Sequence, residues 1–175
     1  ASDVYKRQDR FVFDQNLVST MGSVQRLKYE SVINTTIESK SQADGRGSLL
    51  RGLAQLRDVC LHPGLIDGGV LPLPGSVEHA MELINQSAKL ANVVDILKQI
   101  QRKDEKVLIF LINKRLQRFL KIALQRIFST PVEIINGDTK AVAKRKNTPT
   151  RTTYIREFEE RPGFGILIMS PVAAG

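Results

Sequence analysis

Three short apolar runs, separated by helical patterns, constrain the fold of this 175-residue chain more than any other feature. The runs are residues 106 to 112, 131 to 135 and 165 to 169. Continuous apolar runs of this length are typical of strands that are buried on both faces of a parallel sheet. Strands that alternate with helices indicate a parallel sheet with right-handed crossovers. The sequence therefore predicts an α/β fold in which helices flank a parallel sheet.

Helical patterns precede the first run and fill both intervals between runs. Ser87 is a predicted N-cap, and the helix after it has an apolar stripe made of Leu90, Val93, Val94, Leu97 and Ile100. The helix after the first run would turn inward Leu116, Phe119, Leu120, Ala123 and Ile127. Its outward face would carry Lys114, Arg115, Arg118 and Lys121.

Thr148 and Pro149 are predicted as the N-cap and first residue of a later helix. That helix would bury Ile155 and Phe158.

A helical lead-in is predicted before these elements. Residues 23 to 38 have a stripe made of Tyr29, Ile33 and Ile37, widened by Val32 and Thr36. Residues 39 to 47 predict a polar loop, and a second helix would begin at Ser48 and end by His62, since a proline and a glycine follow. Its apolar face would contain Leu49, Leu53, Leu56 and Cys60. Residues 64 to 75 predict a bent connector because they hold four glycines and two prolines.

Composition limits the classes of function. Lysine and arginine outnumber aspartate and glutamate by 26 to 18, for a net charge of +8. This excess favours a polyanionic partner, although a solvated basic surface without a partner would look the same. Cys60 is the single cysteine and there are two histidines, so neither an internal disulfide nor an ordinary structural zinc site is expected. No membrane-spanning run or signal peptide is visible, and we expect a soluble, cytoplasmic protein.

Three loops follow the predicted strands at the edge where parallel sheets bind ligands. They are Asn113–Lys114, residues 136 to 139 and residues 170 to 175. Their small polar, glycine and basic residues suit a phosphate group, which backbone N–H groups at a helix start attract. Such loops are also polar in proteins that bind nothing there. Lys140, Lys144, Arg145 and Lys146 lie in a long basic loop that could contact phosphate or simply be solvated.

The sequence contains no complete catalytic apparatus of its own. It has no glycine-rich phosphate loop that ends in Gly-Lys-Ser/Thr, and no acidic strand end placed to hold magnesium. His62 and His79 lie in the helical part and the linker, without a nucleophile at a plausible spacing. We therefore expect no catalytic residues and no metal ligands in this chain.

Five segments, in order, resemble the C-terminal half of Snf2-family helicase-like motors. The stretch QLRDVCLHPGL at residues 55 to 65 is similar to the family's linker between two lobes, and SAKL at 87 to 90 to the start of lobe two. KVLIF at 106 to 110 resembles helicase motif IV. Asn136–Gly137, followed by Arg151 and Phe158, resembles the stretch before motif V, and ILIMSPVAAG at 166 to 175 the start of motif V. The resemblance runs from about residue 21 to the last residue.

The resemblance implies a RecA-like second lobe of the P-loop NTPase type and a role for each matched position. Nucleic-acid contacts would come from Asn113, Lys114, Asn136, Gly137, Arg151 and Ser170. Ala174 and Gly175 would approach a nucleotide between the lobes. For Arg151 the alternative is a plain exposed helix charge, and for Ser170 a turn-forming hydroxyl. The loop between residues 137 and 151 is longer than the family's spacing, so its path stays open.

The resemblance also implies partners outside this sequence. An intact motor would bind ATP and Mg²⁺ between this lobe and the N-terminal RecA-like lobe of the same protein, and would move along double-stranded DNA. This chain alone would neither hydrolyse ATP nor translocate. The alternatives are a lobe of another superfamily-two motor, such as an RNA helicase or a restriction-type translocase, and a non-catalytic nucleic-acid-binding module.

The predicted organisation has three parts. Residues 1 to 8 fit no periodic element and are expected to be an artificial segment. Residues 9 to 75 would form the lead-in and linker. Residues 76 to 175 would form an incomplete lobe that stops within motif V.

Overall fold

A three-stranded parallel sheet lies at the centre of the computed structural model, which describes residues 17–40, 45–140 and 149–171. The strands are β1 (Lys106–Phe110), β2 (Val132–Ile135) and β3 (Gly165–Met169). Their order is β1-β3-β2, so β3 pairs in parallel with both neighbours. This confirms the predicted α/β fold with a parallel sheet.

Six α-helices surround or precede this sheet within the described residues. Their bounds are α1 (Ser23–Lys40), α2 (Gly45–Leu61), α3 (Val77–Asn85), α4 (Ala88–Arg102), α5 (Lys114–Phe128) and α6 (Arg151–Glu160). A 3-10 helix at Pro63–Gly68 follows α2. It is kinked at Ile66 and Asp67, and both Asp67 and Gly68 have positive φ angles, as expected for a bent segment.

The main hydrophobic core lies between the sheet and helices α3, α4 and α5. On α4 and α5 it uses the predicted stripes, including Leu90, Val94, Leu97, Phe119 and Leu120. Both helices begin where a side-chain oxygen accepts backbone N–H groups. Ser87 caps α4, and Asn113 caps α5. Capping and the apolar stripes together explain why these two helices form where the sequence predicts them.

The prediction that every strand is buried on both faces was wrong for β1. All five residues of β3 are buried, because the main core covers one face of the strand and α6 covers the other. Leu108 and Phe110 of β1 are exposed because they lie on the α6 face of the sheet, where α6 packs on β2 and β3. A continuous apolar run does not show whether both faces of a strand are covered.

The predicted inward face of α1 is confirmed for Tyr29, Val32, Ile33 and Thr36, which are buried or partly buried, whereas that of α2 was largely wrong. Ile37 of α1 and Leu49 and Leu53 of α2 are exposed, and Cys60 is only partly buried. The buried residues in the described parts of these two helices are Gln25, Val32, Gly52, Asp58 and Val59. At Gly52 a Cβ atom would collide with the side chain of Thr36, so the glycine lets α1 and α2 pack closely. The helix α2 also begins at Gly45, before the predicted Ser48.

Two further helix predictions need correction. The helix α3 was not predicted, although Ser76 caps it by accepting a hydrogen bond from the backbone N–H of His79. The helix α6 begins at Arg151 with Thr150 as its N-cap, rather than at Pro149 after a Thr148 cap. Thr150 and Thr153 each accept a hydrogen bond from the other's backbone N–H group, and this capping box sets the start. Ile155 is exposed and Phe158 only partly buried. Thr148 lies outside the described residues.

Candidate nucleic-acid interface

The three predicted loops begin side by side at the carboxyl edge of the sheet. The backbone N–H of Leu111, just after β1, donates to the carbonyl of Met169 on β3 at 2.9 Å. The N–H of Ser170, just after β3, donates to the carbonyl of Ile135 on β2 at 2.8 Å. Because β3 is the central strand, Ser170 lies between the other two loops. The structure therefore brings the three strand ends together on one side of the molecule.

Buried polar side chains connect the first two loops. The Nδ2 group of Asn136 donates to Oε1 of Gln117 at 2.7 Å, and Nε2 of Gln117 donates to the carbonyl of Leu111 at 2.5 Å. Both side chains are buried. Paired polar groups in the interior hold a specific arrangement, since an unpaired one would cost free energy. Asn136, a predicted phosphate contact, therefore has a side chain that is already committed to holding the loops in place.

Residues 136 to 139 form a tight turn with several internal hydrogen bonds. The N–H of Asp138 donates to Oδ1 of Asn136 at 2.9 Å, and the N–H of Thr139 donates to the Asn136 carbonyl at 3.0 Å. The Thr139 hydroxyl donates to the carbonyl of Ile134 and accepts from the N–H of Asn136. Gly137 is exposed, and no heavy atom lies within 4 Å of where its Cβ would be. Its backbone is therefore open to a ligand.

The first loop begins α5. Oδ1 of Asn113 accepts the N–H groups of Arg115 and Leu116 at 3.0 and 3.1 Å, so this oxygen serves as the helix cap. Lys114 is the first helical residue and is exposed. Its Nζ lies 2.7 Å from Oδ1 of Asp138, and this exposed ion pair joins the first loop to the second.

The charge of this edge is mainly positive but not uniformly so. Lys114, through its hydrogen bond and its charge, lowers the pKa of Asp138, and the charge of Arg118 acts in the same direction. Arg118 is exposed one helical turn after Lys114. A cleft of about 370 Å³ opens beside the turn, lined on its polar side by Arg118, Lys121, Glu133, Asp138, Thr139 and Lys140. Such a surface can bind an anion through cationic side chains and backbone N–H groups.

No protein-family model matches the chain, but two curated proteins are similar to most of it. The chain is 30% identical over 161 residues to the Zorya protein ZorD of Escherichia coli O139:H28. The matched region covers 89% of the chain and 14% of ZorD. The chain is also 26% identical over 151 residues to the putative ATP-dependent helicase/translocase YwqA of Bacillus subtilis, covering 84% of the chain and 14% of YwqA. The chain thus spans only a small part of these relatives.

A third relative and two solved structures extend the comparison. The ISWI chromatin-remodeling complex ATPase ISW1 of Saccharomyces cerevisiae is 29% identical over 110 residues, which is 61% of the chain and 10% of ISW1. The SWI2/SNF2 ATPase C-terminal domain of Sulfolobus solfataricus superimposes with a TM-score of 0.62 at 18% identity, covering 83% of this chain and 57% of that one. The core of the same ATPase in complex with dsDNA gives 0.60 at 18% identity, covering 84% and 27%. The chain therefore has the fold of a Snf2-type C-terminal domain and is similar in sequence to helicase-like ATPases.

The segments that resemble the Snf2 family join the lead-in to the lobe. His62 is buried, with Nε2 3.0 Å from the Leu83 carbonyl and Nδ1 accepting the N–H of Gly64 at 3.0 Å. The hydroxyl of Ser87 donates to the carbonyl of Leu61 at 2.8 Å and accepts the N–H of Leu90. The matched histidine and serine therefore act as structural connections between α2 and the helices that follow.

Arg151 contacts the second loop from the start of α6. Its Nε donates to the carbonyl of Thr139 at 3.2 Å, and its backbone N–H donates to the carbonyl of Lys140 at 3.0 Å. The residue is half-buried and has a further interaction in the structure. It therefore lies at the same edge as the other predicted contacts, with part of its guanidinium used to hold the loop. Ala174 and Gly175 lie outside the described residues.

Sequence reasoning missed three side chains that shape this edge: Gln117, Arg118 and Asp138. Arg118 was placed on the outward face of its helix but was not assigned to the site, although a residue four positions after Lys114 lies on the same helix face. Asp138 belonged to a loop that the sequence singled out, but its ion pair with Lys114 spans 24 residues. Gln117 looked like an ordinary polar helix residue, and only the fold shows that it is buried. Among the described residues, no group of His, Cys, Asp and Glu could hold a metal ion.

Proposed function

We propose that this lobe is part of an ATP-driven motor and grips the phosphate backbone of double-stranded DNA. In this proposal residues 9 to 75 are the lead-in and linker, and residues 76 to 175 belong to the lobe. The observation that supports it best is the convergence of the three strand-end loops at one edge, tied together by backbone and side-chain hydrogen bonds. One of the similar structures was solved with dsDNA, and the relatives include a putative translocase and a chromatin-remodeling ATPase.

We assign the phosphate contacts to groups of different kinds. Lys114 would supply a charge, Ser170 a hydroxyl donor, and the exposed Gly137 its backbone N–H. Asn113, Asn136 and Arg151 have side-chain atoms bonded within the protein, so in our proposal they mainly hold the loops in position. Contacts of this kind read the backbone rather than the bases, and binding should be indifferent to sequence and steeply dependent on salt.

ATP and Mg²⁺ would bind between this lobe and the N-terminal lobe of the same protein. Bound nucleotide supplies the free energy for closing and opening the lobes. We assign no nucleotide or magnesium contact to a described residue. The part of this lobe in the cycle is to hold the strand while the lobes move, so its grip must be both firm and reversible.

The test is the ATPase activity of a protein that carries both lobes. Double-stranded DNA should stimulate ATP hydrolysis more than single-stranded RNA does. Replacing Lys114→Ala should raise the DNA concentration needed for half-maximal stimulation. Lys103→Ala removes the same charge from the turn before β1, at the opposite edge of the sheet, and should leave that concentration unchanged. Absence of stimulation by duplex DNA would refute the proposed motor, and stronger stimulation by RNA would favour an RNA helicase.

A further inference from the structure

A carboxylate lies within the surface that we assign to phosphate. Asp138 presents Oδ1 to Nζ of Lys114 at 2.7 Å, and the two side chains are 62% and 53% exposed. Arg118 is close enough for its charge to act on the same carboxylate. A carboxylate oxygen and a phosphate oxygen are anions that accept hydrogen bonds from the same donors. Asp138 therefore uses a cation that a phosphate group would otherwise contact.

The position of this carboxylate is set by the surrounding fold. The backbone of Asp138 belongs to a turn in which its N–H donates to Oδ1 of Asn136 and the N–H of Thr139 donates to the Asn136 carbonyl. Asn136 is in turn bonded to the buried Gln117 on α5, the same helix that carries Lys114. The turn and the first turn of α5 are thus held together independently of the ion pair. The ion pair can open without the loops losing their places.

A second carboxylate reduces the positive charge of the neighbouring cleft in the same way. Glu133 accepts a hydrogen bond from Nζ of Lys121 at 2.7 Å, and both line the cleft. Arg118 forms no ion pair within the described part of the chain, although it lies between these two pairs on α5. The charge of this edge is therefore lower than its number of lysines and arginines implies.

We propose that Asp138 acts as an internal competitor of phosphate, and that its carboxylate leaves Lys114 when the nucleic-acid backbone binds to Lys114 and Arg118. The inference rests on the proposed function and deepens it. Only hydrogen bonds and ion contacts are exchanged, with no covalent change. Because the outgoing carboxylate stays next to Lys114 on its rigid turn, it can reclaim the cation quickly. Asp138 thus weakens the grip and makes it easier to release, as a lobe that must let go in each cycle requires.

The experiment compares two carboxylates that each form an exposed ion pair. Asp138→Asn keeps the size of the side chain and removes its charge. Asp95→Asn makes the same change on α4, where Asp95 pairs with Lys98 at 3.4 Å on the surface. Binding of the full 175-residue chain to a labelled duplex would be measured by fluorescence anisotropy at several salt concentrations. Asp138→Asn should bind about two- to fivefold more tightly, the range expected for a surface ion pair. Asp95→Asn should change binding by less than half as much.

A double variant tests whether Asp138→Asn strengthens binding through Lys114. In a Lys114→Ala background, Asp138→Asn should give clearly less gain, because the competition for Lys114 is already absent. Equal gains from Asp138→Asn and Asp95→Asn would overturn the inference, since net charge alone would then explain them. An undiminished gain in the Lys114→Ala background would also overturn it. Absence of duplex binding by every variant would instead refute the proposed function, so the two failures are distinguishable.

Discussion

The lead-in helices and the sheet lobe are built on different principles. In the lobe, apolar stripes of α4 and α5 pack on the sheet, and the core is almost wholly hydrophobic. In the lead-in, α1 and α2 leave large apolar side chains exposed, among them Leu27, Ile37, Leu49, Leu50 and Leu53. Their inward side includes the polar residues Gln25 and Asp58. Hydrophobic burial therefore explains the lobe, whereas the attachment of the lead-in combines the apolar contacts of Leu61 and Leu65 with polar contacts.

Long-range hydrogen bonds supply the polar part of that attachment. Gln25 donates from Nε2 to the Val59 carbonyl at 2.9 Å and accepts the N–H of Ala88 at Oε1 at 3.2 Å, so it joins α1 to both α2 and α4. Arg115 of α5 donates to Asp58 and to the carbonyls of Leu65 and Gly69. Side-chain groups that satisfy backbone carbonyls fix one geometry, because each bond has a preferred direction. Polar contacts therefore set the orientation of the lead-in.

The largest expected effect is the difference in unfolding free energy lost when a buried leucine of the lobe and an exposed leucine of the lead-in are each replaced by alanine. Leu120→Ala on α5 empties a site that is 2% exposed, whereas Leu53→Ala on α2 changes one that is 55% exposed. The first should lower the free energy of unfolding by about 2–5 kcal/mol. The second should stay within about 0.5 kcal/mol, as is usual for surface changes. Urea unfolding followed by circular dichroism measures both. Equal losses would mean that the α2 face is buried in solution.

The polar attachment is tested at Arg115. Arg115→Lys keeps the charge but replaces the planar guanidinium with a single ammonium group. That group cannot donate to Asp58, Leu65 and Gly69 at the same time. The substitution should lower the free energy of unfolding by about 1–3 kcal/mol, since partly buried acceptors lose their partner. Arg126→Lys, on an exposed part of the same helix, is the matched control and should be nearly neutral. If the two variants unfold at the same urea concentration, the Arg115 contacts do not stabilise the junction.

A smaller, pH-dependent effect should come from His62 at the same junction. Burial lowers the pKa of His62, the hydrogen bond to the Leu83 carbonyl opposes this shift, and the charge of Lys28 adds to it. The unfolded chain therefore takes up a proton more readily than the folded chain. Stability should be full above the unfolded value of about 6.5 and should fall as the pH drops below it.

The other histidine provides the control for this pH effect. His79→Gln should leave the decrease in stability in place, because His62 still titrates. His62→Gln should flatten it over the same range. If His79→Gln abolishes the loss of stability at low pH, the effect comes from His79, and this would contradict the role of His62.

The sequence predicts the lobe well because its strands and the helices α4 and α5 are defined by local patterns. Apolar runs located all three strands, and the predicted Ser87 cap is confirmed at the start of α4. The predicted face of α2 was wrong because apolar spacing selected Leu49 and Leu53, which are exposed. The attachment of the lead-in depends instead on Gln25, whose partners are 34 and 63 residues away. For the site, the strand-end rule brought Asn113, Gly137 and Ser170 to one edge. The structural commitment of Asn136 and the ion pair of Asp138 depend on tertiary contacts, which no local pattern shows.

The central claim is that the carboxyl edge of the sheet, and no other surface, holds the phosphate backbone. The most direct test is the salt dependence of duplex binding by the chain and by Lys114→Ala, Ser170→Ala and Lys103→Ala variants. Lys114→Ala should weaken binding and reduce the slope of log K against log salt by about one. Ser170→Ala should weaken binding with little change in slope, and Lys103→Ala should change neither. Equal weakening by Lys103→Ala and Lys114→Ala would contradict the account, because binding would then follow overall charge rather than this edge.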